Sequence, residues 1–239
     1  MVKVALVTGS GHRLGRALAL GLGAAGYSVA VHYRSRKEQA DETLRLLRGA
    51  GADGEAFRED LGADGAAARL VESVLLCFGR LDALVHSASP WSEKPVAEVT
   101  LEDWEAAFRV GPRAAFFLAQ ASAPALREAR GAILLISDVA AVKAWPHHIP
   151  HSAAKAAVNS LVAGLAVALG PEVRVNGLAP GIVLPPDDMP EATVDRLVQR
   201  TPLKRPVEVA DVVSTALALL ANGSVTGQVW AVDAGRTVI

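Results

Sequence analysis

Short apolar runs alternate with longer Ala/Leu-rich stretches along the whole chain, and few architectures accept that rhythm. Val2–Val7, Ser28–Tyr33, Glu55–Arg58, Ala83–His86, Ala132–Ser137, Arg174–Leu178 and Gln228–Val232 read as strands. Several carry no polar alternation, the pattern of parallel strands covered on both faces. Helical spacing of apolar residues covers Leu14–Ala25, Glu38–Gly49, Ala66–Phe78, Trp104–Arg127, Ser152–Leu169, Ala192–Gln199 and Glu208–Ala221. Trp104–Arg127 is expected to divide into two helices at Pro124, because proline lacks the N–H that a helix interior needs. This alternation predicts an α/β fold: a doubly wound parallel sheet of about seven strands, flanked by helices on both faces, with right-handed crossovers.

The 239 residues suit one domain, residues 1–239. No linker, repeat or low-complexity segment divides them, and the Pro-rich stretch Pro180–Pro190 reads as a loop or lid over a site. A formal net charge of -1 and the lack of a basic arm argue against a nucleic-acid partner. The one cysteine, Cys77, excludes an internal disulfide and fits a reducing compartment. Its neighbours Leu75, Leu76 and Phe78 point to a buried, inert thiol. Val2–Val7 is too short for a secretory core, and no apolar run reads as reaching the ~18–20 residues of a membrane span. The expectation is a cytoplasmic protein with no membrane partner.

The first strand runs into Thr8-Gly9-Ser10-Gly11-His12-Arg13-Leu14-Gly15 and then a helix. Glycines at such a place permit a tight turn and let backbone amides approach a pyrophosphate, while the helix start adds about half a positive charge. Strand, glycine turn and helix in that order, opening an alternating chain, predict a Rossmann-type dinucleotide site. An NAD-binding strand of this kind ends in an acid that holds the ribose 2′-hydroxyl. The second strand here ends Tyr33-Arg34-Ser35-Arg36-Lys37, with no acid. Arg34, and Arg13 reaching from the turn, offer planar forks of donors that suit a 2′-phosphate. NADP(H) is therefore expected in preference to NAD(H).

Thr8-Gly9-x-Gly11-x-x-x-Gly15 resembles the cofactor turn of the short-chain dehydrogenase/reductases. Further landmarks follow in register. Asp60-Leu61 resembles the acid that meets the adenine. His86-Ser87-Ala88-Ser89 stands where the family carries Asn-Asn-Ala-Gly. Arg174-Val175-Asn176-Gly177 and Ala179-Pro180-Gly181 resemble the nicotinamide-side strand and turn, with Val183 just beyond. Thr226-Gly227 and Val232-Asp233-Ala234-Gly235 resemble its C-terminal pattern. The resemblance implies that Gly9, Gly11, His12, Arg13, Leu14, Gly15, Tyr33, Arg34, Ser35, Asp60, Leu61, Ser87, Ala88, Lys155, Pro180, Gly181 and Val183 bind the cofactor. It also implies hydride transfer between nicotinamide and a carbonyl, alcohol or C=N bond.

That family supplies its proton from a Tyr four residues before a Lys, with a Ser thirteen residues before the Tyr and an Asn in the preceding long helix. Lys155 is present, but the other positions hold His151, Asp138 and Gly111. A neutral imidazole can donate a proton at physiological pH, and a carboxylate within ~4–6 Å would stabilise its charged form. Asp138, His151 and Lys155 are thus the candidate catalytic groups. His147 and His148 lie near, but without carboxylate or thiol spacing no metal site is expected.

Arg13-Leu14-Gly15-Arg16, His32-Tyr33-Arg34-Ser35, Ala88-Ser89 and Asp187-Asp188-Met189-Pro190 resemble the pteridine reductases, which also carry the Asp138 change. Ser89, Trp91, Asp138 and Met189 are then expected to meet a small, flat substrate, with Trp91 stacking on it or else anchoring a surface. A catalytically weak NADP(H)-binding homologue, acting as a sensor or assembly subunit, is the alternative. A 3-oxoacyl or other carbonyl reductase is a further one. The resemblance also implies a homotetramer, or a homodimer, joined near Trp104–Arg127 and Ser152–Leu169.

Overall fold

The computed structural model of the chain describes residues 2–186 and 189–239; Asp187 and Asp188, in the segment likened above to pteridine reductases and in the expected lid, lie outside them. Seven strands form one sheet: β1 (Lys3–Thr8), β2 (Tyr27–Tyr33), β3 (Gly54–Arg58), β4 (Ala83–His86), β5 (Ala132–Ile136), β6 (Arg174–Pro180) and β7 (Val229–Val232). Their order is β3-β2-β1-β4-β5-β6-β7, and every pair is parallel. The order reverses between β1 and β4, so the crevice above their C-terminal ends is the place where such sheets bind ligands. Thr8 and His86 end those two strands in register.

Parallel strands need crossovers, and each is helical. Helices α1 (Arg13–Ala24), α2 (Lys37–Gly49) and α8 (Val209–Ala221) cover one face. There Leu18, Leu22, Leu44, Leu47, Val212 and Leu219 pack on Val7, Val29, Val31, Val85 and Leu134. Helices α3 (Ala66–Phe78), α5 (Ala114–Ala129) and α6 (Ile149–Leu169) cover the other, through Leu70, Val74, Leu118, Leu126, Val158 and Val162. Burying a side chain of that size stabilises the fold by roughly 1.5–3 kcal/mol, so two such layers carry most of the folding energy. There are two shorter helices, α4 (Leu101–Phe108), which packs on α6, and α7 (Glu191–Gln199).

Three expectations are corrected. Pro124 does not divide its helix; it lies inside continuous α5. Both Pro124 and Gln120, whose carbonyl loses its partner, are on the exposed side, where water can bond that carbonyl. The break comes earlier, in a wide turn over Arg109–Arg113, at Gly111 (φ -78°, ψ -107°) before Pro112. Cys77 is exposed, not buried, since α3 turns its core face through Leu70, Val71 and Val74 instead. Finally, the 21-residue α6 is long and apolar enough, by composition alone, to cross a membrane. Here its face carrying Ala154, Val158, Val162 and Leu165 is packed on the sheet.

Candidate active site

The glycine turn is shaped by what no side chain could share with it. Gly9 has φ +66°, and a Cβ there would fall 2.9 Å from the Cα of Ala88. A Cβ on Gly15 would fall 2.3 Å from the carbonyl oxygen of Gly9. The turn therefore presents bare backbone. His12 precedes α1 without capping it through its side chain, and the first turn holds no acid. The leading amides of α1 are left for an external anion.

Two histidines hold this turn. His32 Nδ1 accepts from the Gly9 amide at 3.0 Å, and its Nε2 faces the Glu59 carbonyl at 3.0 Å. Burial pushes its imidazole down to about 4, so it is neutral, with the proton on Nε2 donated to Glu59. His86 Nδ1 meets the Thr8 hydroxyl at 2.9 Å and its Nε2 meets the Val110 carbonyl at 3.0 Å. Burial, with Lys155 adding to it, pushes His86 down to about 3. The Thr8 hydroxyl can then donate to His86 while accepting from the Ser87 and Ala88 amides at 3.0 and 3.1 Å. Behind the turn, Arg16 donates to the Gly11 carbonyl at 2.6 Å and to Gln39 and Thr43, tying the loop to α2.

The surroundings of the turn are rich in cationic side chains. Burial and the guanidinium groups of Arg36, Arg13 and Arg16 hold His12 below the usual imidazole range, which marks a strongly positive corner. Tyr33 ends β2, with Arg34 and Ser35 exposed beyond it. The Arg13 guanidinium donates to the carbonyls of Leu184 and Pro185. Asp60 folds its carboxylate back to the Gly62 amide at 2.9 Å, beside buried Leu61. On the far side the Gly181 amide donates to Val232 at 2.9 Å; a Cβ there would lie 2.7 Å from the Cα of Asp233, so Gly181 must also be bare backbone. Val183 is half-buried next to this turn.

The proton-handling candidates do converge. His151 and Lys155 are one turn apart on α6, and both are buried. Asp138 follows β5 and accepts from the Ala140 amide at 2.7 Å, which aims its other oxygen across the site. Asp138 Oδ2 lies 3.5 Å from His151 Nε2. That nitrogen is shielded from solvent and has no hydrogen-bond partner among the described residues. Lys155 Nζ donates to the Ile136 carbonyl at 2.7 Å, and burial lowers its ammonium to about 8 against the opposing pull of Asp138. Gly111 lies close by, where a Cβ would touch Ala154 at an ordinary 3.6 Å.

An aromatic cover closes over this pair. The Trp91 ring packs 5.0 Å from His151, 4.5 Å from His148 and 6.1 Å from Trp145. Its loop is pinned to the start of α6, with the Lys94 amide donating to His147 at 2.8 Å and His148 Nδ1 bonding Ser92 at 2.9 Å. Trp91 is 47% exposed, so it is the outer wall. Ser89 is exposed, its hydroxyl donating to the Pro90 carbonyl. Met189 is half-buried, at the edge of the residues that the structure does not describe.

Sequence reasoning missed His32, His86, Arg16, Trp145, His148 and Arg236. For His32 and His86 a signal existed: each is a polar residue near the end of an otherwise apolar strand. For Trp145 and Arg236, which meet from distant parts of the chain, none did.

Sheet order, glycine turn and buried Lys155 together define a Rossmann-like α/β domain built for a dinucleotide at its switch point. A family model described as enoyl-(acyl carrier protein) reductase matches residues 9–237. The chain is 34% identical, over 98% of its own length and 95% of the relative's, to the versicolorin reductase stcU of Emericella nidulans. It is 38% identical to a hydroxynaphthalene reductase-like protein of Metarhizium robertsii, over 75% of this chain and 67% of that one. Among solved structures, alternative dihydrofolate reductase 1 of Brucella canis, complexed with NADP, superposes with a TM-score of 0.92 at 28% identity, covering 99% and 94% of the two chains. The chain belongs to the short-chain dehydrogenase/reductase family and is a reductase of that type, in a family that uses NAD(P)(H).

Proposed function

We propose that this protein is an NADP(H)-dependent reductase of a small planar C=N or C=O substrate, with Asp138 and His151 managing the proton. The observation that carries the reading is the 3.5 Å approach of Asp138 Oδ2 to His151 Nε2, at a nitrogen with no hydrogen-bond partner. At that distance the carboxylate faces the imidazole, and no hydrogen bond among the described residues occupies Nε2. Nε2 is thus free to donate to a substrate nitrogen or oxygen. The cofactor, when bound, supplies the hydride. Lys155 holds the nicotinamide ribose, and the partly exposed Asp138 lets a proton return to His151 from solvent.

The positive corner around His12 and the acid-free end of β2 support NADP(H) over NAD(H). So does the NADP complex of the Brucella relative. Trp91 over His151 supports a flat substrate, and relatives named for dihydrofolate and hydroxynaphthalene agree with one. The pteridine-reductase resemblance makes a dihydropterin the first compound to try.

NADPH consumption with a dihydropterin or quinonoid pterin tests this. A positioned general acid contributes roughly 10²–10⁴-fold, so His151→Ala is expected to cut turnover by at least about tenfold while NADPH affinity holds. Asp138→Asn is expected to follow it. An unchanged rate in His151→Ala removes that residue from the mechanism. If the wild type binds NADPH but turns over nothing in a broad pterin and carbonyl panel, and His151→Tyr creates activity, the chain is a non-catalytic binder.

A further inference from the structure

Three buried nitrogen atoms in this region have no partner among the described residues: His151 Nε2, Trp145 Nε1 and Arg236 Nε. The reductase reading accounts for the first. The other two do not enter it, and they belong together: the Arg236 guanidinium carbon stands 5.0 Å from the centre of the Trp145 ring. An indole N–H and a guanidinium N–H are donors only. Burying either without an acceptor costs about 1–3 kcal/mol, so two side by side mark a place whose acceptor arrives from outside.

The placement is built, not incidental. Asp233 accepts from the Gly235 amide at 2.9 Å, the Thr237 amide at 2.7 Å and the Thr237 hydroxyl at 2.8 Å, which folds the segment carrying Arg236 into a tight turn. Lys143, two residues before Trp145, donates to the Arg236 carbonyl at 3.0 Å and clamps that turn to the Trp145 loop. The carboxylates nearby have contacts of their own: Asp233 bonds within its own turn, and Asp138 bonds the Ala140 amide and lies 3.5 Å from His151 Nε2. From Trp145 the ring contacts run on through Trp91 to His151, so the donor pair and the proton donor line one aromatic wall.

We propose that Trp145 Nε1 and Arg236 bind an acidic oxygen, a carboxylate or phenolate, carried by the planar substrate at the end remote from the bond being reduced. The Trp91 indole, edge-on to Trp145 at 79°, is the part that gives way as the flat ring enters. A planar fork of donors matches an oxyanion in charge and shape, and the aromatic faces beside it take the ring. The proposal rests on the reductase reading for the place of the reacting bond, but the anion preference stands or falls without turnover.

Isothermal titration, with the protein saturated in NADP⁺ and again without it, compares two probes of one shape: 2-naphthoate, an anion, and 2-naphthamide, neutral. The wild type is expected to bind the naphthoate at least about tenfold tighter, the order of one charge-assisted hydrogen bond. Arg236→Gln should bring the two affinities together, and Arg236→Lys should keep part of the difference. Trp145→Phe, which keeps an aromatic ring and loses the N–H, should weaken naphthoate severalfold. His151→Ala should leave the preference intact, which separates this proposal from the proton role. Equal affinities in the wild type, binding of neither probe, or a preference that survives in folded Arg236→Gln would overturn it.

Discussion

Lys155 is the residue to which the proposed function gives a part in both binding and chemistry. Its ammonium is taken out of water and bonds only the Ile136 carbonyl among the contacts the structure shows, so its proton is held weakly, to about 8. A charged ammonium is the form that donates to ribose hydroxyls. In the free protein that form is complete below about pH 7 and is lost as the pH rises through about 8. NADPH affinity is therefore expected to fall several-fold between pH 7 and pH 9, measured by fluorescence titration. Lys155→Met should bind more weakly at pH 7 and show little of this slope; a wild-type affinity flat across the range would contradict the role. The spacing of His151 and Lys155 in one helix was readable because a helix repeats every ~3.6 residues. The pairing of Asp138 with His151 was legible only as a possibility, because their separation depends on how the loop after β5 meets α6. That Arg13 bonds the Leu184 and Pro185 carbonyls was not readable, because loop carbonyls leave no pattern in a sequence.

Helix α1 is where the fold and the site share residues. Its glycines do different work. Gly15 lets the helix start against the Gly9 carbonyl, while Gly21 and Gly23 admit the side chains of Val213 from α8 and Leu47 from α2. Strand and helix positions followed from apolar periodicity, and most boundaries moved by only one to three residues. The breaks were harder, because a proline pattern does not say which prolines face water. Exposed Pro124 is absorbed, while buried Pro112, after Gly111, opens the Arg109–Arg113 turn. Val110 in that turn accepts from His86, so the break is fastened to the glycine loop through Thr8. A side chain at Gly15 meets backbone 2.3 Å away that cannot move without the loop. Gly15→Ala is expected to weaken NADPH binding by at least about tenfold, or to unfold the chain, whereas Gly49→Ala, with nothing within 4 Å, should stabilise it by up to about 1 kcal/mol. Equilibrium unfolding and NADPH titration on both variants decide; unchanged binding in Gly15→Ala would refute this account of the turn.

The molecule as a whole is organised around the reversal of strand order between β1 and β4, and two neutral imidazoles sit at that junction. His32 and His86 use their ring nitrogens as one donor and one acceptor each, a role that a charged ring cannot fill. Their folded values, about 4 and about 3, lie below the ordinary 6.5. The unfolded chain therefore binds more protons than the folded one between pH 6.5 and those values. The sign follows: stability is fully present above about pH 6.5 and is lost as the pH falls, by about 1.4 kcal/mol per pH unit for each histidine. At pH 5 the two together should cost about 4 kcal/mol, which for a chain of this length lowers Tm by roughly 8–16 °C. Asp103, whose carboxyl Lys94 and Thr100 hold down at about 2, titrates below this window, while His12, also held below the usual imidazole range, adds to the slope in the same direction. Calorimetry at pH 7.5, 6 and 5 should show the fall, and His86→Asn, which keeps a donor and an acceptor but does not titrate, should show a smaller one. A Tm independent of pH over this range would mean that the two rings are not held neutral, and the hydrogen-bond roles assigned to them at the cofactor turn would fall with it.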